Sequence, residues 1–222
     1  MSDSKKSSPK APLQLYESLV AAGDLNPDMG QYQAVQALQQ LYIDLQKLST
    51  KSWSPWKPKV IPKGAYLFGG VGRGKTMLMD LFFMCLPDGD KQRLHFHDFM
   101  MQAHNLINLA RKSDLPDPID RAAKQILKQG RILCFDEMEV RDIADAMIVS
   151  RLFSSLWGGG MILVATSNRT PDELYKTGLH RDRFLPFIEQ LKSKIILQNI
   201  QDGDDWRKRI LSGTDGWIVP HD

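Results

Sequence analysis

The chain has 222 residues, of which 42% are hydrophobic and 25% are charged, and its formal net charge at pH 7 is only +3. The length suits one large domain with a smaller appendage, and the composition is ordinary for a water-soluble globular protein. So small a charge does not by itself indicate a nucleic-acid-binding protein. Every apolar run is far shorter than the roughly 18 residues that a membrane-spanning helix requires, so no such helix is expected.

Both cysteines, Cys85 and Cys134, lie in apolar runs, which indicates reduced core residues and a cytosolic compartment. The amino terminus is rich in Ser, Lys and Pro and lacks an apolar segment, so it predicts neither a signal peptide nor a transit peptide. We therefore expect a bacterial cytoplasmic protein whose residues 1–11 form a disordered tail.

Residues 12–62 predict two helices and a linker. Apolar residues recur at helical spacing over residues 12–22 and 35–48, and a turn that contains Gly and Pro separates the two segments. The second helix is expected to pack beside the domain that follows. Trp53 and Trp56 lie in the linker, where packing onto the core is favoured over a role in binding a partner.

A glycine-rich stretch at residues 69–76, GGVGRGKT, fits the phosphate-binding pattern G-x-x-x-x-G-K-[ST]. A predicted buried strand over residues 65–68 precedes it and a helical pattern over residues 77–85 follows it, which is the context that this motif requires. Glycines allow positive φ angles, so backbone N–H groups can contact phosphate oxygens at the start of the helix. A plain Gly-rich turn is the alternative, but the ordered Lys-Thr pair disfavours it.

Each part of this stretch has an expected role in binding a nucleoside triphosphate. Lys75 is expected to reach the β- and γ-phosphates, and the Thr76 hydroxyl is expected to ligate Mg²⁺. The residues expected to bind the nucleotide are Gly69, Gly70, Val71, Gly72, Arg73, Gly74, Lys75 and Thr76.

After residue 85, predicted strands alternate with predicted helices. Strands are predicted over residues 93–97, 132–135, 161–165 and 194–200, and helices over residues 99–111, 119–128, 143–157, 171–175 and 184–192. This alternation implies a parallel sheet covered on both faces, with a core over residues 63–210 and an extension over residues 211–222.

Three polar residues lie where the second predicted strand meets the helix that follows it. Asp98 is expected to cap that helix. His95 and His97 are expected to share one face of a strand, where packing is favoured over metal binding because no third ligand is near.

An acidic pair, Asp136 and Glu137, ends the third predicted strand. Asp136 is expected at the carboxyl end of that strand, where it would hold Mg²⁺ through water. Glu137 is expected to be the general base that polarises the attacking water. A solvated acidic turn is the alternative interpretation, and the phosphate-loop motif upstream disfavours it.

Three polar residues further along the chain complete the predicted site. Asn168 follows the fourth strand, where an amide could orient the lytic water and contact the γ-phosphate; an Asn that starts a turn is the alternative. Arg181 and Arg183 could stabilise transition-state charge on the transferred phosphoryl group. Local ion pairs with Asp182 or Glu189 are the alternative for both arginines.

The order of these motifs resembles that of AAA+ ATPases and, more narrowly, that of the ZapE family of bacterial cell-division ATPases and its mitochondrial relatives. The resemblance rests on residues 67–76, 94–100, 133–137, 163–168, 171–175 and 181–186, and it covers about residues 12–209. It implies an α/β fold, the three-layer P-loop NTPase sandwich with a parallel five-stranded sheet in the order 5-1-4-3-2. It also implies ATP hydrolysis with ATP and Mg²⁺ as cofactors, action on FtsZ at the division ring, and peripheral association with the inner membrane.

AAA+ proteins carry a helical lid after the fifth strand, whereas this chain ends at Asp222, so the lid is expected to be absent. Assembly into a homo-oligomeric ring is expected only when a lid is present. Gln31 resembles part of the segment that precedes the family's core. A glutamine on the surface of a helix is favoured there over one that approaches adenine.

These motifs favour a Mg-dependent ATPase that remodels a protein partner. A nucleic-acid motor or helicase loader on the same core is the alternative, and it requires a basic stripe interleaved with aromatic residues. The candidate stripe comprises Lys57, Lys59 and Lys63 with Trp53 and Trp56. Because the net charge is low, direct nucleic-acid binding is not expected. A nucleotide switch that does not hydrolyse ATP is a third hypothesis, against which Glu137 argues.

Overall fold

The computed structural model describes residues 11–50, 61–113 and 116–200. Most of the predicted tail, the linker tryptophans Trp53 and Trp56, the lysines Lys57 and Lys59, and the predicted C-terminal extension lie outside the described residues. Within those ranges, no helix is both long enough and apolar enough to span a membrane.

A five-stranded parallel sheet forms the centre of the molecule. Its strands are β1 (Gly64–Phe68), β2 (Lys91–His95), β3 (Ile132–Asp136), β4 (Ile162–Ser167) and β5 (Ile195–Asn199). They lie in the order β2-β3-β4-β1-β5, which confirms the predicted order 5-1-4-3-2 counted from the other edge. The interior strands β1, β3 and β4 are almost entirely buried. Their continuous apolar sequences follow from a sheet that is covered on both faces.

Helices cover both faces of the sheet. They are α1 (Pro12–Ala22), α2 (Met29–Thr50), α3 (Lys75–Cys85), α4 (Phe96–Lys112), α5 (Pro118–Gln129), α6 (Ile143–Gly158) and α7 (Arg181–Lys194), with a 3₁₀ turn at Pro171–Glu173. Buried residues of α1, α2 and α3 form a hydrophobic core on one face. Buried residues of α4, α5, α6 and α7 form a second core on the opposite face. The structure therefore has the predicted three layers.

Strand β3 shows how the sequence divides between these two cores. Leu133 and Phe135 belong to the core formed with α4 to α7, whereas Ile132 and Cys134 belong to the core formed with α1 to α3. The alternation arises because successive side chains of a strand point to opposite faces. Cys134 and Cys85 are both buried, as predicted for core residues, and burial raises the pKa of the Cys134 thiol to about 12.

An aromatic cluster anchors the carboxyl half of β3. The ring centroid of Phe135 lies 4.5 Å from that of Phe99, 5.6 Å from that of Phe96 and 6.2 Å from that of Phe153. All four side chains are buried. Aromatic pairs at such separations add to the free energy gained from apolar burial. The cluster therefore fixes the position of the strand end that carries Asp136.

The start of α4 differs from the sequence prediction. β2 ends at His95 and α4 begins at Phe96, so the prediction that His95 and His97 share one face of a strand is wrong. Asp98 lies in the first turn of the helix and not at its cap. The buried residues of this segment share helical spacing and are Phe96, Phe99 and Met100. Burial at that spacing favours a helix, and it outweighs the short alternation that predicted a strand.

Candidate active site

The predicted phosphate loop, residues 69–74, connects β1 to α3. Gly69 has a φ of 149° and Gly74 a φ of 80°, values that L-residues rarely adopt. A Cβ atom on Gly69 would lie 2.3 Å from the carbonyl oxygen of Ile200, and a Cβ atom on Gly74 would lie 2.9 Å from Nε2 of Gln31. Gly69 therefore requires glycine for both backbone conformation and space, whereas Gly74 favours glycine mainly for backbone conformation, because the Gln31 side chain can move.

Lys75, the first residue of α3, is only 8% exposed. Its Nζ atom donates hydrogen bonds to the carbonyl oxygens of Gly69 at 2.8 Å and Gly70 at 2.6 Å. Burial lowers the pKa of Lys75, the charge of Arg73 lowers this pKa further, and the charge of Glu137 raises it. The ammonium group therefore lies against the first two residues of the loop, and it is close enough to Glu137 for the two charges to interact.

Hydrogen bonds connect the turn that follows β3 to the end of β4. Glu137 donates its backbone N–H to the hydroxyl oxygen of Thr166 at 3.1 Å, and Met138 donates its own to the carbonyl oxygen of Thr166 at 2.7 Å. The Ser167 hydroxyl donates to the carbonyl oxygen of Met138 at 2.8 Å. Asp136 and Met138 are buried, whereas Glu137 between them is exposed. The Glu137 side chain is thus accessible to solvent on a backbone that hydrogen bonds hold in place.

Asn168 directly follows β4 and is exposed. Phe68 lies opposite Ser167 in the register of β1 and β4, so Gly69 and Asn168 are the residues that follow at neighbouring strand ends. Thr76 is exposed in the first turn of α3, at the same edge of the sheet. The structure therefore brings the loop, the acidic pair and Asn168 together at the carboxyl edge of the sheet.

The two arginines singled out by the sequence lie in the first turn of α7, which begins earlier than the predicted start at residue 184. Arg181 donates hydrogen bonds to the carbonyl oxygens of Leu174 at 2.7 Å and Asp172 at 2.6 Å. Its guanidinium thus binds backbone carbonyl groups, a different set of partners from the carboxylates of the alternative prediction. These bonds tie the 3₁₀ turn to α7, so Arg181 connects two elements of the fold.

Arg183 is exposed, and its side chain makes no hydrogen bond or ion pair within the part of the chain that the structure describes. Because α7 connects β4 to the parallel strand β5, the helix begins at the carboxyl edge of the sheet. Arg183 is therefore presented to solvent on the same edge as the phosphate loop.

No motif marks Arg93 in the sequence, yet the structure places it against Asp136. Its Nε atom donates to Oδ2 of Asp136 at 2.8 Å and its Nη2 atom to Oδ1 at 3.3 Å, while Nη1 donates to Asp80. Hydrogen bonding to Asp136 is the main reason why the pKa of Arg93 is raised. Alternation places Lys91, Arg93 and His95 on one face of β2, but only the register of β2 with β3 shows that this face also carries Asp136.

Gln31 differs from its sequence prediction, because it is half-buried and is not a plain surface residue. Its Nε2 atom donates to the carbonyl oxygen of Arg73 at 3.1 Å, so α2 is tied to the phosphate loop. The Oε1 atom is buried and has no hydrogen-bond partner among the described residues. Local spacing could not reveal this contact, because its two residues lie 42 positions apart.

The strand order, together with the loop between β1 and α3, defines the fold as that of the AAA+ class of P-loop ATPase domains. The solved structure of AMPPCP-bound DnaA from Aquifex aeolicus matches this chain with a TM-score of 0.53 and 15% identity, over 85% of this chain and 52% of that chain. At this identity, the likeness shows the fold alone.

The chain belongs to the AFG1-like ATPase family, whose model matches residues 10–222. It is 39% identical over 227 residues to the cell division protein ZapE of Escherichia coli strain K12, across 95% of this chain and 60% of that protein. It is 45% identical over 158 residues to lactation elevated protein 1 homolog B of Danio rerio, across 67% of this chain and 31% of that protein. The chain thus spans 60% of the length of ZapE, and the family has members in bacteria and in vertebrates.

Glu137 has a φ of 53°, a left-handed conformation that costs an L-residue about 1–2 kcal/mol and costs glycine little. Glu137→Gly and Glu137→Ala remove the same carboxylate, so the difference between them isolates the backbone strain. We predict that the free energy of unfolding, measured in urea, is about 1 kcal/mol higher for Glu137→Gly than for Glu137→Ala. A Glu137→Ala protein at least as stable as Glu137→Gly would contradict the inference that this backbone is strained.

Proposed function

We propose that the chain binds ATP with Mg²⁺ at residues 69–76 and hydrolyses it to ADP and phosphate. The observation that carries this proposal is the convergence of a glycine loop, a buried lysine and an acidic pair at one edge of the sheet. Parallel α/β sheets bind ligands at this edge. Membership of the AFG1-like ATPase family supports ATP as the nucleotide.

The side chains beside the loop fit Mg²⁺, which prefers hard oxygen ligands. Thr76 offers an exposed hydroxyl, and Asp136 offers a carboxylate. Within the described ranges, no group of three or more His, Cys, Asp or Glu residues could form a dedicated metal cage. Mg²⁺ that binds with a nucleotide needs few protein ligands, because phosphate oxygens and water supply the rest. Thr76 and Asp136 would hold Mg²⁺, which when bound would neutralise charge on the phosphates.

The chain's own residues have separate roles in the proposed hydrolysis. Loop N–H groups and Lys75 bind the phosphates, and Lys75 exchanges the carbonyl oxygens of Gly69 and Gly70 for phosphate oxygens. Glu137 accepts a proton from the attacking water, whose oxygen bonds to the γ-phosphorus as the bond to the β-phosphate oxygen breaks and ADP leaves. Asn168 orients that water.

We propose further that hydrolysis remodels a protein partner. ZapE is named as a cell division protein, which supports a partner involved in cell division. FtsZ, with recruitment from the cytoplasm to the division site at the inner membrane, is the partner that the family resemblance implies. The alternative, a nucleic-acid motor or helicase loader, depends largely on lysines and tryptophans that lie outside the described residues.

Two substitutions separate nucleotide binding from turnover. Lys75→Ala removes a charged hydrogen-bond donor to phosphate, so we expect calorimetric titration with Mg²⁺ and ATP to show an affinity about tenfold lower or worse. Unchanged ATP affinity in Lys75→Ala would mean that the phosphates bind elsewhere.

Glu137→Gln keeps the side-chain shape and loses the base, so it should bind ATP normally while single-turnover hydrolysis slows by about 10²–10⁴-fold. Near-normal hydrolysis by Glu137→Gln would reject Glu137 as the base.

Phosphate release measured with FtsZ polymers, with single-stranded DNA and with neither identifies the class of partner. We expect FtsZ polymers to raise the rate and DNA to leave it unchanged, because a net charge of +3 attracts a phosphate backbone only weakly. Glu137→Gln controls for contaminating phosphatases. Stimulation by DNA that falls steeply with salt, without stimulation by FtsZ, would favour the helicase-loader alternative.

Arg183 suits a role at the nucleotide of a neighbouring copy, because it is exposed at the loop edge and makes no side-chain hydrogen bond or ion pair within the described ranges. We propose that, in a chain that carries the lid, copies assemble into a homo-oligomeric ring in which Arg183 stabilises transition-state charge in the adjacent subunit. Arg183→Ala should then bind ATP almost normally and hydrolyse it about 10³-fold more slowly.

Mixing two inactive variants tests whether Arg183 acts on a neighbour. Arg183→Ala keeps its own Lys75 and Glu137, and Glu137→Gln can lend its Arg183, so some neighbouring pairs in a mixed assembly contain a complete site. We expect an equimolar mixture of the two variants, both made in the lid-containing chain, to recover phosphate release at a high concentration where light scattering shows co-assembly. Co-assembly without recovered activity would reject Arg183 as a residue that acts between subunits.

A further inference from the structure

Arg93 links the two elements that carry the proposed metal ligands. Its guanidinium contacts Asp136 through Nε at 2.8 Å and Nη2 at 3.3 Å, and it contacts Asp80 through Nη1. Asp136 ends β3, and Asp80 lies on α3 four residues after Thr76. Side chains at that spacing lie on one face of a helix, so Thr76 and Asp80 point the same way. One guanidinium therefore connects the Thr76 face of α3 to the end of the strand that carries Asp136.

The geometry of this contact controls both the charge and the orientation of Asp136. The Asp136 side chain is 11% exposed, and a carboxylate buried to that extent is stable only when it is paired. Arg93 donates to both carboxylate oxygens, and a fork of this kind fixes the orientation of the carboxylate as well as compensating its charge. Each carboxylate oxygen can accept more than one hydrogen bond, so Asp136 retains acceptor capacity for metal-bound water.

Lys91 makes a comparable link farther from the site. Its Nζ atom donates to the carbonyl oxygens of Phe83 at 3.1 Å and Leu86 at 2.8 Å, so it ties β2 to the carboxyl end of α3. Lys91 lies on the same face of β2 as Arg93, but it lies opposite Ile132, at the amino end of β3. It thus holds α3 without contacting the acidic pair, which makes it a matched control for the loss of a cation from this strand.

We propose that Arg93 is a positioning residue for Mg²⁺, which holds Asp136 in the orientation that metal-bound water requires and keeps the Thr76 helix in place against β3. The inference rests on the proposed function, in which Asp136 and Thr76 hold the metal. Loss of the hydrogen-bond partner of a metal-binding carboxylate typically lowers metal affinity by about 10- to 100-fold.

Calorimetric titration with AMPPCP, in Mg²⁺ and in EDTA, tests this inference without turnover. The quantity compared is the magnesium effect, the ratio of the AMPPCP dissociation constant in EDTA to that in Mg²⁺. We expect Arg93→Met to reduce this ratio by about tenfold or more, with little change in EDTA. Lys91→Met should leave the ratio unchanged, even where it lowers the Tm. Arg93→Lys keeps the charge but loses the fork, so it should show an intermediate reduction, and it carries the comparison if Arg93→Met does not fold.

Several results would overturn the inference. An unchanged ratio in the folded Arg93 variant would do so, and a higher ratio would mean that the guanidinium competes with the metal. An equal reduction in Lys91→Met would show that general loosening of α3 is sufficient. A wild-type protein that binds no AMPPCP would contradict the proposed function and the Arg93 inference together. Magnesium-dependent binding by the wild type with an unchanged Arg93 variant would contradict the Arg93 inference alone.

Discussion

The parallel pairing of β4 with β1 on one side and with β3 on the other determines where the proposed site residues of these strands lie. Phe68 lies opposite Ser167 and Phe135 lies opposite Ala165, so the three strands end at nearly the same level. From these ends the chain enters the phosphate loop, the acidic pair and the segment that begins with Asn168. A slip of one residue would turn each strand's side chains to the opposite face, and the buried aromatic cluster around Phe135 opposes such a slip.

Charge at this edge is compensated within the chain. As whole residues, Lys75 and Asp136 are each only 8% exposed. Two carbonyl oxygens accept hydrogen bonds from Lys75, and Arg93 donates hydrogen bonds to Asp136. Removing one partner from a buried charged pair typically costs about 3–5 kcal/mol, because the remaining charge stays buried without compensation. The residues of the site therefore also stabilise the fold. A loss of activity in a variant is informative only when the variant is shown to be folded.

The local motifs are predictable because each is contained in one short stretch of sequence. A strand, a glycine loop and a helix follow one another over residues 64–85, and the continuous apolar run of β3 predicts an interior strand. The strand order came from the family resemblance and was confirmed. The contacts of Arg93 and Gln31 were not predictable, because their partners lie 43 and 42 residues away and become neighbours only in the folded sheet. The catalytic roles of Glu137, Asn168 and Arg183 stay predictions.

A crystal structure of the chain with Mg²⁺ and AMPPCP tests the central claim, that the loop at residues 69–74 binds the phosphates of ATP. Phosphate oxygens are expected within hydrogen-bond distance of the loop N–H groups and of Lys75 Nζ. The Lys75 ammonium group is expected to release the carbonyl oxygens of Gly69 and Gly70 when the phosphates bind. Asp136 is expected to face the metal while it keeps its hydrogen bonds from Arg93. A nucleotide bound elsewhere, with Lys75 still bonded to those two carbonyl oxygens, would contradict the account.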